Sequence, residues 1–353
     1  MKNRILIINN YSLRESLHKA DQGIVPMHHT WGINLLRDKY NLRFLNFQCP
    51  TILKKLHLAR FYYYYFQIKS LFYSTGCSCV YSAASPLINL LAYLKWKGLV
   101  KCRLIMIVHH PRNFTLQKRK YDKIIFISKD VYDIAIQDYG QNQELFELIS
   151  WGPDLKFYQA ILIDSSNKES NRPLKFMSIG ICFRDHDTLI LASRGLDCKT
   201  EIICTTKNSP LVYDTSIDHE VSITVQNDGI NTSGELMSYK QMAAALATSD
   251  IVIIPIIKGH SGLCGLTSFN DAIALGKPVI VADTSHLGID LEYEGIGFYY
   301  KAGDYSDLRR KMQYFIDNPD LIKAMKPNIL NYAKHNDSSH FAEIINQNVS
   351  CEQ

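Results

Sequence analysis

The chain is 353 residues long, 46% hydrophobic and 21% charged, which is the length of two ordinary globular domains at roughly 100–200 residues each and a composition that excludes disorder and collagen-like repeats. A net charge of +5, from 39 Lys and Arg against 34 Asp and Glu, is too mild for an electrostatic nucleic-acid binder, so no nucleic-acid partner is expected. The longest apolar runs, such as Ile251–Ile257 with Pro255 inside it, fall short of the ~20 residues of a bilayer-spanning helix, and nine scattered cysteines give neither a disulfide framework nor a zinc site, Cys77-Ser-Cys79 having no second pair.

Taken from the N-terminus, the run Ile5-Leu-Ile-Ile8 is closed at once by Asn9. It is too short for a signal-peptide core, so the mature protein is expected to start at Met1 in a reducing cytosol. Strands are predicted at residues 4–8, 42–45, 79–81, 103–108, 123–127 and 147–149, with a long polar loop after the first. Helices are predicted around 29–40, 86–97 and 129–138. Apolar runs alternating with amphipathic stretches indicate parallel strands joined by crossover helices, a doubly wound first domain over 1–155. The segment from Ile163 to Pro173 is polar and rich in turn formers, which places a linker at 156–172. The pattern then restarts, with strands at 174–179, 200–204, 221–225, 251–254 and 278–281 and helices at 187–194, 239–248 and 267–275, giving a second domain over 173–325. From Ser306 onward the chain reads as helices interrupted at Pro327, and residues 326–353 are expected to cross back to the first domain.

The segment Lys258-Gly-His-Ser-Gly-Leu-Cys-Gly-Leu-Thr-Ser-Phe-Asn-Asp271 runs from a glycine-rich turn into a predicted helix. A helix start offers unpaired N–H groups and the positive end of a dipole, which together attract an anion. Gly265 lets the backbone approach a phosphate, with Leu266 beside it as a further contact, Thr267 and Ser268 add hydroxyl donors at the helix start, and Asp271, one turn on, is placed to accept from two ribose hydroxyls. The segment therefore suits a nucleoside diphosphate, while a capped core helix turning at Gly276-Lys-Pro278 is the plainer alternative.

The stretch Gly265-Leu-Thr-Ser-Phe-Asn-Asp-Ala-Ile-Ala-Leu-Gly-Lys-Pro-Val-Ile280 resembles the donor-binding segment of the family-four retaining glycosyltransferases, which have the GT-B fold. Three further segments agree in order: Ile149-Ser-Trp-Gly-Pro-Asp-Leu-Lys-Phe-Tyr158, Ser178-Ile-Gly180 with Arg184-Asp-His-Asp-Thr-Leu189, and Gly303-Asp304. The resemblance spans residues 121–308 well and the first hundred loosely. It implies two Rossmann-like α/β/α domains facing a central cleft, and sugar transfer from a nucleoside-diphosphate donor, UDP- or GDP-linked, with retention of configuration and neither metal nor cofactor. The acceptor it implies is a glycan or lipid-linked glycan, as in bacterial surface-polysaccharide assembly.

Residue by residue, the family's ribose-binding glutamate falls on Asp271, a shorter carboxylate. Its partner, separated from it by seven intervening residues, falls on Leu263, which cannot hydrogen-bond a sugar. Gly180 matches the glycine turn of the donor domain. Arg184 and, on the loop before the turn, Lys258 are the candidates for stabilising charge on the leaving diphosphate. His109 and His110 follow a strand end where ligands gather in open α/β sheets, and either is a candidate to hydrogen-bond the transferred sugar or a phosphate. Gly23, His29 and Trp31 are acceptor-side candidates. The stretch Leu53–Tyr73 interleaves basic and aromatic residues in a way that suits the surface of an anionic membrane, here its cytoplasmic face, or else an ordinary helix packed on the sheet. Two other readings stay open: a non-catalytic relative binding a glycan or protein partner, for which Leu263 argues, and a nucleotide-sugar 2-epimerase, which would need more carboxylates than Asp271 around the sugar.

Overall fold

A computed structural model of the chain describes residues 3–110, 114–164, 172–208, 221–225 and 237–350. It divides into two compact units, Met1–Trp151 with Ser338–Gln353, and Gly152–Asp337.

The first unit runs β1 (Arg4–Asn9), α1 (Leu13–Asp21), α2 (Ile33–Leu36), β2 (Asn41–Asn46), α3 (Thr51–Lys55), α4 (Ala59–Ser74), β3 (Cys79–Ser82), α5 (Asn89–Trp96), β4 (Arg103–Val108), β5 (Lys123–Phe126), α6 (Lys129–Tyr139) and β6 (Phe146–Leu148). Its six strands are parallel in the order β2-β1-β3-β4-β5-β6. The second unit runs α7 (Leu155–Asp164), β7 (Leu174–Cys182), α8 (His186–Ser193), β8 (Cys198–Asn208), β9 (Val221–Val225), α9 (Tyr239–Ala247), β10 (Ile251–Ile254), α10 (Leu266–Ala274), β11 (Val279–Ala282), β12 (Gly297–Tyr300), α11 (Tyr305–Asp317) and α12 (Asp320–His335). The chain ends in α13 (Ser338–Ser350), which belongs to the first unit. The second sheet is also parallel, in the order β12-β11-β10-β7-β8-β9. Strands covered by helices on both faces are continuously apolar, as Ile251–Ile254 and Val279–Ala282 are, every residue of both being buried.

Besides the unpredicted edge strand β12, the structure departs from the sequence reading at four places. The polar loop after β1 contains α1, capped by Ser12, whose side chain accepts from the Glu15 N–H at 3.2 Å. The helix expected at 29–40 is a 3₁₀ turn at Met27–Thr30 and the short α2, split by Trp31 and Gly32 in left-handed conformation at φ 54° and 78°. The linker expected at 156–172 begins inside α7, where Tyr158 is wholly buried, and its residues 165–171 lie outside the described ones. Pro327 does not interrupt the last helices; it sits inside α12, whose buried Met325, Ile329 and Ala333 keep one face of the helix on the core across the missing N–H.

Candidate functional site

In an open parallel sheet, ligands collect at the carboxyl ends of the strands where the strand order reverses. In the second unit that point lies between β7 and β10, and the expected donor-side residues leave from it. Gly180, near the end of β7, has φ +156°, and a Cβ there would lie 2.5 Å from the Arg184 guanidinium. Arg184, 5% exposed, donates from Nη1 to the Cys182 carbonyl at 2.9 Å and from Nη2 to Ser268 Oγ at 3.0 Å. Ser268 Oγ in turn donates to the Ile179 carbonyl at 2.8 Å. One buried cation thus ties the end of β7 to the first turn of α10.

Gly265 caps that helix at φ +87°, where a Cβ would meet Ile254 Cγ2 at 2.6 Å, so both backbone conformation and space call for glycine. The first helical bond runs from Phe269 N–H to the Gly265 carbonyl at 2.9 Å, which leaves the N–H groups of Leu266, Thr267 and Ser268 ahead of it as the helix's unpaired donors. A guanidinium beside a helix start makes a strong local field for an anion. Ser268 contributes its N–H alone, since its hydroxyl is engaged between Ile179 and Arg184. Among the described residues the Thr267 hydroxyl makes no hydrogen bond and remains available.

Asp271 stands one turn further. Tyr158 from α7 and Tyr239 from the start of α9 both donate to its Oδ1, Tyr239 at 2.7 Å, with the two hydroxyl oxygens 3.3 Å apart. No hydrogen bond among the described residues reaches Oδ2. Burial pushes the Asp271 carboxyl up to about 6, while the two hydroxyls pull it down. Burial and the adjacent carboxylate hold both tyrosines well above their usual range, so they act as neutral donors. Neither tyrosine was among the site residues expected from the sequence, and both now stand with Asp271.

Lys258 is exposed on the loop after β10, its stem resting 3.5 Å from where a Cβ on Gly303 would lie. It has no ion pair among the described residues. Leu263 packs half-buried against the unit's apolar core, and the following residue anchors the loop through Cys264 N–H to the Ser285 carbonyl at 2.9 Å. Among the described residues no three His, Cys, Asp or Glu side chains group as metal ligands.

In the first unit the order reverses between β1 and β3. Beyond their ends Tyr11 donates to the His29 carbonyl at 3.0 Å and receives the Trp31 indole N–H at 2.6 Å, while Tyr81 donates to the Trp31 carbonyl at 2.8 Å. Trp31 is 7% exposed, stacked on Trp151 with centroids 4.7 Å apart and met edge-on by His109 at 5.0 Å. His109 donates from Nε2 to the Ala83 carbonyl at 2.9 Å, which fixes its tautomer. Burial lowers both His109 and His110 and brings His29 down to about 4, so His29 is neutral at pH 7. His29, Trp31 and His109 are therefore one packed cluster. Gly23 stands apart from it, ending α1 at φ +64° with its N–H on the Ala20 carbonyl at 2.9 Å.

No protein-family model matches the chain, and no curated protein matches it in sequence. Its structure is similar to that of a glycosyltransferase from Rickettsia africae, with a TM-score of 0.66 and 15% identity over 99% of this chain and 100% of that one. It is similar also to Anabaena HepE in complex with UDP (TM-score 0.63, 14% identity, 99% and 100% covered). A third is WaaG, a glycosyltransferase involved in lipopolysaccharide biosynthesis (TM-score 0.63, 12% identity, 99% and 100% covered). At such identities the likeness is one of fold: the chain has the GT-B fold, two parallel six-stranded sheets with helices.

Proposed function

We propose that this chain is a retaining glycosyltransferase, independent of metal, that moves a sugar from a UDP- or GDP-linked donor to a glycan or lipid-linked glycan acceptor in bacterial surface-polysaccharide assembly. It works in the cytoplasm, in peripheral contact with a membrane through residues 53–73. The observation that carries the reading is the buried Arg184 charge set against the unpaired first turn of α10, with Asp271 one turn beyond it. The diphosphate lies on the N–H groups of Leu266, Thr267 and Ser268, approached closely at Gly265, and Asp271 Oδ2 accepts from the ribose. The bond between the anomeric carbon and the diphosphate oxygen breaks, a bond from that carbon to the acceptor oxygen forms, and the acceptor's proton passes to the leaving phosphate. Arg184 and Lys258 offset the negative charge that develops there. His109 and His110 serve the sugar, and Gly23, His29 and Trp31 shape the acceptor side. The complex of HepE with UDP and the pathway of WaaG support the donor class and the acceptor class respectively.

Binding only to the folded state raises apparent stability, so a thermal-shift panel of UDP, GDP, ADP, TDP and CMP is expected to single out one nucleoside diphosphate. No shift with any of them would refute the donor site. Lys258→Ala is expected to lower kcat about tenfold or more with little change in KM, since the ammonium meets charge that appears on departure. An unchanged kcat would leave Lys258 a solvated loop residue. Leu263, which gives the sugar no hydrogen bond, favours a second reading, a non-catalytic nucleotide binder. Nucleotide binding without donor turnover, or with no sugar released or transferred, would decide for it.

A further inference from the structure

Helix α4 buries Phe66 but otherwise turns polar side chains inward and a row of apolar ones outward. The side chains it buries include Gln67, Ser70 and Ser74, and those it exposes include Phe61 at 70%, Tyr65 at 55%, Ile68 at 51% and Phe72 at 70%. Positions 61, 65, 68 and 72 fall on one stripe at 3.6 residues per turn, and 67, 70 and 74 fall on the opposite one. The inward polar groups are satisfied within the unit: Gln67 donates to the Leu87 carbonyl at 2.9 Å and accepts from the Leu90 N–H at 2.9 Å, and Ser70 donates to the Gln67 carbonyl at 2.7 Å. The orientation is therefore fixed by these bonds, and the apolar stripe faces outward.

The surface extends beyond α4. Ile52 and Leu56, in and just after α3, are 66% and 59% exposed, and the adjoining helix α5 shows Trp96 at 45%, with Leu99 following at 73%. Exposed apolar side chains gathered on neighbouring helices in this way mark an interaction surface. Charge then selects the partner. Between Lys39 and Tyr121 the chain has fourteen Lys and Arg and no Asp or Glu, so the rest of the protein, with twenty-five basic and thirty-four acidic residues, carries the opposite sign. Lys54, Lys55 and Arg60 are exposed beside the stripe, and Lys97 lies over the Trp96 ring at 4.7 Å.

We propose that the α3–α4–α5 face docks this protein on an anionic lipid bilayer, with Phe61, Ile68, Phe72 and Leu99 entering the acyl boundary and the basic residues pairing with phosphate headgroups. This rests on the membrane contact in the function proposed above and extends it from residues 53–73 to a face that includes Trp96 and Leu99. Tyrosine and tryptophan at headgroup depth and basic chains reaching lipid phosphates are what such an interface uses. Aliphatic Ile52, Leu56, Ile68 and Leu99 offer nothing to a nucleic-acid strand, whose bases stack on flat rings.

Flotation of the full chain with vesicles tests this. Binding is expected to vesicles of 30% phosphatidylglycerol in phosphatidylcholine, and to be at least tenfold weaker to phosphatidylcholine alone or in 0.5 M NaCl. The variant Phe61→Ser/Phe72→Ser and the variant Lys54→Gln/Lys55→Gln/Arg60→Gln should each lose binding about tenfold or more. Both replace exposed side chains, so their melting temperatures and their nucleotide-induced thermal shift should stay those of the parent, which separates this result from failure of the donor site. Absence of binding to anionic vesicles, equal binding to neutral ones, or unaffected binding by both variants would overturn the proposal. So would flotation abolished by a stoichiometric excess of poly(U) together with tighter binding to that polymer, or self-association through this face.

Discussion

Asp271→Ala is expected to weaken binding of the cognate nucleoside diphosphate by ten- to a hundredfold, since hydrogen bonds to a charged group each contribute roughly 1.5–3 kcal/mol. Asp271→Asn is expected to weaken it less and to raise the melting temperature. The sign follows from burial, which lifts the Asp271 carboxyl from its ordinary 3.8 to about 6 in the folded protein. A carboxyl raised on folding binds a proton more tightly in the native state, so its ionisation lowers stability as pH rises through 3.8 to 6, and the cost persists at neutral pH. A neutral amide at the same position still accepts from Tyr158 and Tyr239 and avoids that cost. The same carboxylate is the form that accepts ribose hydroxyls, so affinity should fall as pH drops from 7.5 through about 6. In Tyr158→Phe/Tyr239→Phe that fall should begin at higher pH, because the two hydroxyls hold the carboxyl down. Isothermal titration of parent and variants between pH 5 and 8 reads all of this. A parent affinity independent of pH, or full affinity in the alanine variant, would remove Asp271 from the ribose.

How much of this was legible in the sequence depends on how far apart the cooperating residues lie. The strands were legible because both faces of each sheet are covered, which makes β10, β11 and all of β4 after Arg103 unbroken apolar runs. The start of α10 was legible because a glycine turn ahead of a helix is a local signal. Helix α1 had a local signal too, Ser12 with Glu15 three residues on, but its polar composition read as loop. The strand β12, Gly297–Tyr300, has four residues and no alternation to mark it. Nothing local tied the partners of Asp271 to it, although Tyr158 ends one of the segments that carry the resemblance: they come from 113 and 32 positions away, and only the packing of α7, α9 and α10 brings the hydroxyls together. Arg184 was singled out from its motif. That its guanidinium is engaged beneath Gly180 and on Ser268 rather than held out toward solvent is a property of the β7–α10 junction and not of the residues beside it.

Gly152→Ala should be the most damaging single substitution to stability, and its reason is wholly steric. A Cβ on Gly152 would lie 1.3 Å from the carbonyl oxygen of Asn336 and 2.4 Å from its carbon, so a backbone segment has to move rather than a side chain rotate. That segment is fixed: the Asn336 N–H and side-chain amide both donate to the Tyr332 carbonyl, at 3.1 and 2.8 Å, and Asp337 accepts from the Leu155 N–H at 3.3 Å at the start of α7. Displacing it loosens the helix that carries Tyr158. Overpacking in a well-packed core ordinarily costs about 1–3 kcal/mol, and a rigid backbone in the way puts this case at or above the top of that range. Gly98→Ala is the control. Gly98 has φ +77° and nothing within 4 Å of its Cβ position, so alanine there should cost only the ~1–2 kcal/mol of left-handed backbone. Thermal unfolding should rank the two, Gly152→Ala falling by many degrees and Gly98→Ala by few, and nucleotide binding should weaken in the first and not the second. Equal losses would mean that Gly152, which lies in one of the segments that carry the sequence resemblance, is not constrained by the contact with Asn336.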